Sequence, residues 1–157
     1  MYMFLADRMV QNLGKWLRIL GVQTEIPSDI GDDQLIIKAL KEKKVILTKY
    51  SGLAAKARKI GASVILIPPT CVDLEEQLKI VYSKYPFKIQ NEVLCTSCGS
   101  ALTKKNTTEV SDKVPESVVK RFETVWVCSN CGHIFWEGSH WKNINKMIGN
   151  IRQWTSK

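Results

Sequence analysis

Along the first 90 residues, short apolar runs alternate with stretches whose apolar positions recur every three or four residues. Met1–Ala6 is an apolar run that ends at Asp7, which suits a buried strand. Met9, Leu13, Trp16, Leu17 and Leu20 then follow at helical spacing, and Gly21 supplies a stop. Val22–Ile26 reads as a second strand closed by Pro27, and Ser28 to Asp33 offers several helix caps ahead of Leu35, Ile36, Ala39 and Leu40. Val45–Thr48 is a third strand, Ser51–Ile60 a helix ending at Gly61, and Val64–Ile67 a fourth strand stopped by Pro68 and Pro69. A last helix, opened by Thr70 or Asp73, carries Leu74, Leu78, Val81 and Tyr82. Short strands separated by helices imply right-handed βαβ crossovers and a parallel sheet covered on both faces. The expected fold is therefore a three-layer α/β/α domain over residues 1–90. Sites in such sheets lie beyond the carboxyl ends of the strands, here Asp7, the segment after Ile26, and Thr48-Lys49-Tyr50.

From residue 91 the pattern changes. Ala101–Thr103, Thr124–Val127 and Ile134–Trp136 are short β-rich stretches between polar turns, and Asn106–Asp112 with Val114-Pro115 reads as loop. Trp141–Trp154 is amphipathic, with Trp141, Ile144, Ile148 and Ile151 near helical spacing. Residues 91–157 thus read as a small β-rich module followed by a helix that docks on the first domain.

Composition narrows the class. Apolar residues are 45% and charged residues 24% of the 157, as in ordinary globular chains. No apolar run approaches the roughly 20 residues needed to cross a bilayer. The N-terminus lacks a basic flank and meets Asp7 early, so neither membrane insertion nor secretion is expected and the cytoplasm is the expected compartment. The net charge of +8 is spread along the chain, with 14 basic against 9 acidic residues before residue 90 and 9 against 6 after it. A diffuse positive field favours polyanions such as RNA, and it also fits a merely basic protein.

Cys95, Cys98, Cys128 and Cys131 form two C-x-x-C pairs, 29 residues apart, each followed directly by glycine (Gly99 and Gly132). Such a turn aims two thiolates at one ion, and the glycine supplies the left-handed backbone that the turn requires. Four thiolates leave no open coordination position, so one structural Zn2+ is expected. Cys71 has no partner in the pattern and His133 has no ligand spacing; both read as structural or surface residues.

Asp7 after the first strand, with Asp32 and Asp33 opening the second helix, forms the other constellation. At the mouth of a parallel sheet these acids could hold Mg2+ or Mn2+ for phosphodiester hydrolysis. Arg8, Lys15, Arg18, Lys49, Lys56 and Arg58 are candidate phosphate contacts, although each also suits a solvated basic face.

Taken in order, Phe4-Leu5-Ala6-Asp7-Arg8-Met9, Leu13-Gly14-Lys15-Trp16-Leu17-Arg18-Ile19-Leu20-Gly21, Asp32-Asp33-Gln34-Leu35, Val45-Ile46-Leu47-Thr48-Lys49, the two knuckles and Trp136-Glu137-Gly138-Ser139-His140-Trp141 resemble the Mut-seven C-terminal RNase domain family. The resemblance covers nearly the whole chain. It implies a PIN-like sheet with an attached zinc ribbon, and clustered acids, Asp7 and Asp32 among them, that bind divalent metal for endoribonuclease chemistry. Family members carry acids at and after the end of the third strand, where this chain has Tyr50 and Gly52. A phenol is a poorer ligand for a hard cation than a carboxylate, whereas Tyr50 beside Lys49 suits stacking on an unpaired base. His140 suits either a phosphate contact at the catalytic mouth or, beside Trp136 and Trp141, a docking motif. Two functions follow as expectations: a PIN-like endoribonuclease with a thinned acidic site, or an inactive module that binds RNA or a ribonucleoprotein.

Overall fold

The structure, a computed structural model, describes residues 3–156; Met1 and Tyr2 of the expected first strand lie outside the described residues. Four parallel strands, β1 (Phe4–Ala6), β2 (Thr24–Glu25), β3 (Val45–Thr48) and β4 (Val64–Leu66), pair in the order β2-β1-β3-β4. Helix α1 (Gln11–Ile19) joins β1 to β2, α2 (Asp32–Glu42) joins β2 to β3, and α3 (Ser51–Ile60) joins β3 to β4. Helix α4 (Leu74–Lys84) follows the sheet.

Alternation along the strands explains the layering. Phe4, Ala6, Val45, Leu47, Ile65 and Ile67 face Leu13 and Leu17 of α1 and Leu78 and Val81 of α4. Leu5 and Ile46 face the other way, onto Leu35, Ile36 and Ala39 of α2 and Leu53 and Ala57 of α3. Every residue of β1 and β3 is buried, so both strands read as continuous apolar runs. Met9 and Leu40, expected on inward faces, are exposed instead. Met9 belongs to the 3-10 turn Arg8–Val10 that precedes α1, which breaks the helical phase there.

The second half forms a three-stranded antiparallel sheet, β5 (Leu102–Asn106), β6 (Thr124–Cys128) and β7 (Ile134–Phe135), in that order. The stretch Asn106–Asp112, expected to be loop, contains a 3-10 turn, Thr107–Val110, and helix α5 (Glu116–Arg121) follows the expected loop at Val114-Pro115. Their Val110 and Val118 cover Val125 of β6 and make a small core that no helical repeat announced. Helix α6 (Trp141–Thr155) then returns to the first domain. Ile151 is fully buried in the same core as Leu78 and Val81, Tyr82 donates to the Thr155 carbonyl at 2.9 Å, and the Trp154 indole donates to Glu75 at 3.1 Å. Among the described residues no helix is long and apolar enough to cross a membrane.

Because α6 fills part of the main core, Ile151→Ala should cost about 2–5 kcal/mol. Chemical denaturation should show the loss as a lowered midpoint with an unchanged slope.

Candidate functional site

The strand order places a topological switch point between β1 and β3: the chain leaves β1 toward β2 on one side, then crosses back to β3 on the other. Asp7 and Thr48 meet at that crevice. The Thr48 hydroxyl donates to Asp7 Oδ2, the Met9 amide donates to Asp7 Oδ1 at 2.7 Å, and the Tyr50 amide donates to the Thr48 hydroxyl at 3.0 Å. Asp7 is thus the cap of the 3-10 turn as well as an acid at the sheet mouth. Both of its oxygens already have donors.

Asp32 and Asp33 occupy the first turn of α2, where the helix dipole favours negative charge. Asp33 does not stand free. The Lys56 ammonium on α3 pairs with Asp33, and that carboxylate, with Asp32 behind it, raises the Lys56 pKa. The Tyr50 phenol folds over the start of α3: a Cβ added at Gly52 would lie 2.7 Å from Tyr50 Cζ. Gly52 and Tyr50 are therefore coupled, since a side chain at position 52 and this placement of Tyr50 exclude each other.

Mg2+ or Mn2+ demands several converging oxygen ligands. Among the described residues the four cysteines are the group of three or more His, Cys, Asp or Glu close enough to share an ion; Asp7, Asp32 and Asp33 form no such group. With an ammonium on Asp33 and a phenol over position 52, this donor set fits a divalent ion poorly.

The basic candidates scatter. Arg8 and Lys15 are exposed, Lys49 is half-buried after β3, and Tyr50 is 51% exposed. Arg58 is exposed in the last turn of α3, at the end away from Tyr50. Arg18 is corrected outright: it is 4% exposed and cannot meet a phosphate chain. Its Nε donates to the Thr24 carbonyl at 2.8 Å and its Nη1 to the Thr96 carbonyl at 2.7 Å, which ties β2 to the first cysteine knuckle. Burial lowers its pKa, while Cys98, Cys95 and Glu25 oppose that shift.

The knuckles meet the sequence expectation closely. All four sulfurs lie within 4.8 Å of one another, with Cys95–Cys131 at 3.7 Å and Cys98–Cys128 at 3.4 Å. A tetrahedron with metal–sulfur bonds of about 2.3 Å has edges of about 3.8 Å, so the cluster could hold one metal ion. Gly99 and Gly132 take φ of +85° and +76°, the left-handed backbone that the turns need. The Asn130 and Cys131 amides donate to Cys128 Sγ at 3.4 Å. Burial pushes the Cys95 thiol up to about 12, whereas the Ser100 hydroxyl leads the groups that bring Cys98 down to about 5. Arg18 lies against Gly99, directly under the site, as a cation that offsets thiolate charge.

His140 is exposed just before α6 and lines a cleft with Ile19, Gln90 and Trp141. After Asp7 at the carboxyl edge of the sheet and the turn Arg8–Val10, the nine residues of α1 carry the chain about 14 Å back to Leu20 at the amino edge. The ribbon docks at that far edge, through Gln90 N–H to the Leu20 carbonyl and Leu94 N–H to the Arg18 carbonyl, both at 2.9 Å. A contact of His140 with the acidic mouth is thereby corrected: the ribbon and the acids occupy opposite edges.

The family model described as Mut7-C RNAse domain matches residues 2–148 of the chain. The chain belongs to the Mut7-C RNAse domain family. Membership carries a nuclease-like or RNA-related function. A comparison with curated proteins gives no match. Within the Mut7-C chain, sequence reasoning placed Thr48 at a strand end without giving its hydroxyl a part in the mouth, and it singled out no residue on the ribbon-sheet face that carries Trp126. The first is a lone polar residue at the end of an apolar strand; the second shows in sequence only as a tryptophan between two valines.

Arg18→Met should leave the Thr24 and Thr96 carbonyls without their donor, destabilise the fold by about 2–4 kcal/mol, and speed proteolysis in the ribbon. Metal binding at pH 7 should release protons, that of Cys95 among them, because ligating thiols must ionise. Affinity should therefore fall as pH is lowered, measurable by chelator competition at pH 8 and pH 6.

Proposed function

We propose that this Mut7-C chain binds single-stranded RNA, alone or within a ribonucleoprotein, and that its metal-dependent hydrolysis has been lost. The observation that carries the reading is the sheet mouth itself. Tyr50 lies over Gly52, where the family pattern expects an acid, and Lys56 neutralises Asp33. A carboxylate cluster selects a cation; a mouth with an exposed phenol, an ammonium and neighbouring Lys49 and Arg8 suits a base and its phosphates instead. Lys15 and, farther off, Arg58 add to the same positive field.

In this reading Cys95, Cys98, Cys128 and Cys131 hold one structural Zn2+, which closes the ribbon. Residues 1–90 form the RNase-like domain and 91–157 the zinc ribbon with its docking helix. A reducing cytoplasmic setting suits five cysteines without a disulfide among the described residues.

A second reading keeps residual endoribonuclease activity. Asp7 at the switch point and Asp32 at the start of α2 favour it, as positions on adjoining βα connections at the carboxyl edge. Asp7, Asp32 and Asp33 would then be the catalytic acids, with Mg2+ or Mn2+ bound among them.

Binding of a single-stranded RNA oligonucleotide, followed by anisotropy, should persist in Asp7→Asn and weaken steeply as salt rises. Incubation of the same RNA with Mg2+ or Mn2+ should leave it intact. Manganese-dependent cleavage that disappears in Asp7→Asn would establish the second reading instead.

A further inference from the structure

The ribbon sheet has two faces, and only one is used by the ribbon's own core. On β6, Val125 and Val127 point into the cluster with Val110 and Val118. Trp126 alternates to the opposite face. Directly across from it stand Lys104 on β5 and Phe135 on β7, so the three side chains form one row across three strands. The Lys104 ammonium lies 5.7 Å from the Trp126 ring centroid, and Phe135 in turn contacts the His133 ring at 4.6 Å between centroids.

This row does not face open solvent. It forms one wall of a cleft of about 790 Å3, with the 89–94 linker and α6 as the others, and Trp136 and Trp141 add two more indoles. The Trp141 N–H is already spent on the Trp136 carbonyl at 2.9 Å, so that indole has ring surface and no free donor to offer. Polar groups in the walls, Gln90 and Asn145 among them, are the kind that read a base edge. The volume falls within the range of ordinary ligand clefts.

We infer that the open face of the ribbon is a stacking platform for unpaired RNA, with a base seated against Trp126 and its phosphate met by Lys104. The inference rests on the RNA-directed reading above and adds a second contact site, at the edge of the sheet opposite Asp7 and Tyr50. An aromatic row beside a cation is the arrangement that single-strand binders use, because every base has a π face and every linkage a charge. Among the lining residues, Glu92 and Glu137 repel phosphate while Lys104 and Arg152 attract it, so the backbone is favoured near the cations. A duplex presents no free base and should not enter.

The test uses the full zinc-loaded chain and a fluorescein-labelled ten-nucleotide oligouridylate, read by anisotropy across a salt series. Trp126→Ala should weaken binding by about 5- to 100-fold while keeping one zinc per chain. Lys104→Glu, a change at an exposed residue, should weaken binding and flatten the logarithmic salt slope by about 0.7. Should Trp126→Ala lose its zinc, Lys104→Glu decides the matter alone. Oligonucleotides carrying 4-thiouridine should crosslink to the Trp126 and Trp136 region. Crosslinks confined to Lys49 and Tyr50, with Lys104→Glu binding as wild type, overturn the platform and leave the RNA reading standing. Wild-type protein that binds no RNA at all sinks both. Displacement of the RNA by a proline-rich peptide at equal concentration would reassign the cleft to a protein ligand and overturn the inference.

Discussion

Complete burial of β1 and β3 on both faces is the constraint from which the remaining geometry follows. Strands whose every side chain is buried need helices on both sides, which requires parallel strands and crossovers of alternating direction. With β1 and β3 central, the switch point falls between them, and Asp7 and Thr48 have nowhere else to meet. The same constraint sends α1 back across the sheet and so separates the mouth from the edge where the ribbon docks.

At that edge the Arg18 guanidinium joins two backbone hydrogen bonds in linking the two halves. Arg18 donates to a strand carbonyl and to a knuckle carbonyl 78 residues along the chain. A buried cation is tolerated when its hydrogen bonds are made and an opposite charge lies near. The thiolates above it supply that charge once a metal has stripped their protons, so ribbon folding and ribbon docking are coupled through one side chain. Ile151 and Trp154 of α6 close the assembly from the other side. The C-terminal segment is consequently part of the main core, not an appendage to it.

The mouth shows acidic side chains held by protein partners within an intact fold. Thr48 and the Met9 amide satisfy Asp7, Lys56 satisfies Asp33, and the Tyr50 ring occupies the space above Gly52. Asp7 and Asp33 are thereby engaged within the protein, and Asp32 opens α2. What remains is a surface of mixed aromatic and basic character, and a similar combination recurs on the ribbon at Lys104, Trp126 and Phe135.

Features written in local chain geometry were legible from the residues alone. Strand and helix order followed from apolar periodicity, and the left-handed glycines of the knuckles from the C-x-x-C-G spacing, because each depends on neighbours within a few positions. The α/β layout and the family came from residue identities at matching places. Tertiary structure alone decided the rest. Arg18 carries the same charge whether it faces RNA or a carbonyl, and only the docking of residue 96 against it determines which. Helix α5 is too short to declare a period, and the ring of Tyr50 over Gly52 is a choice of side-chain placement. The row of Lys104, Trp126 and Phe135 exists only once strand register has brought three distant segments side by side.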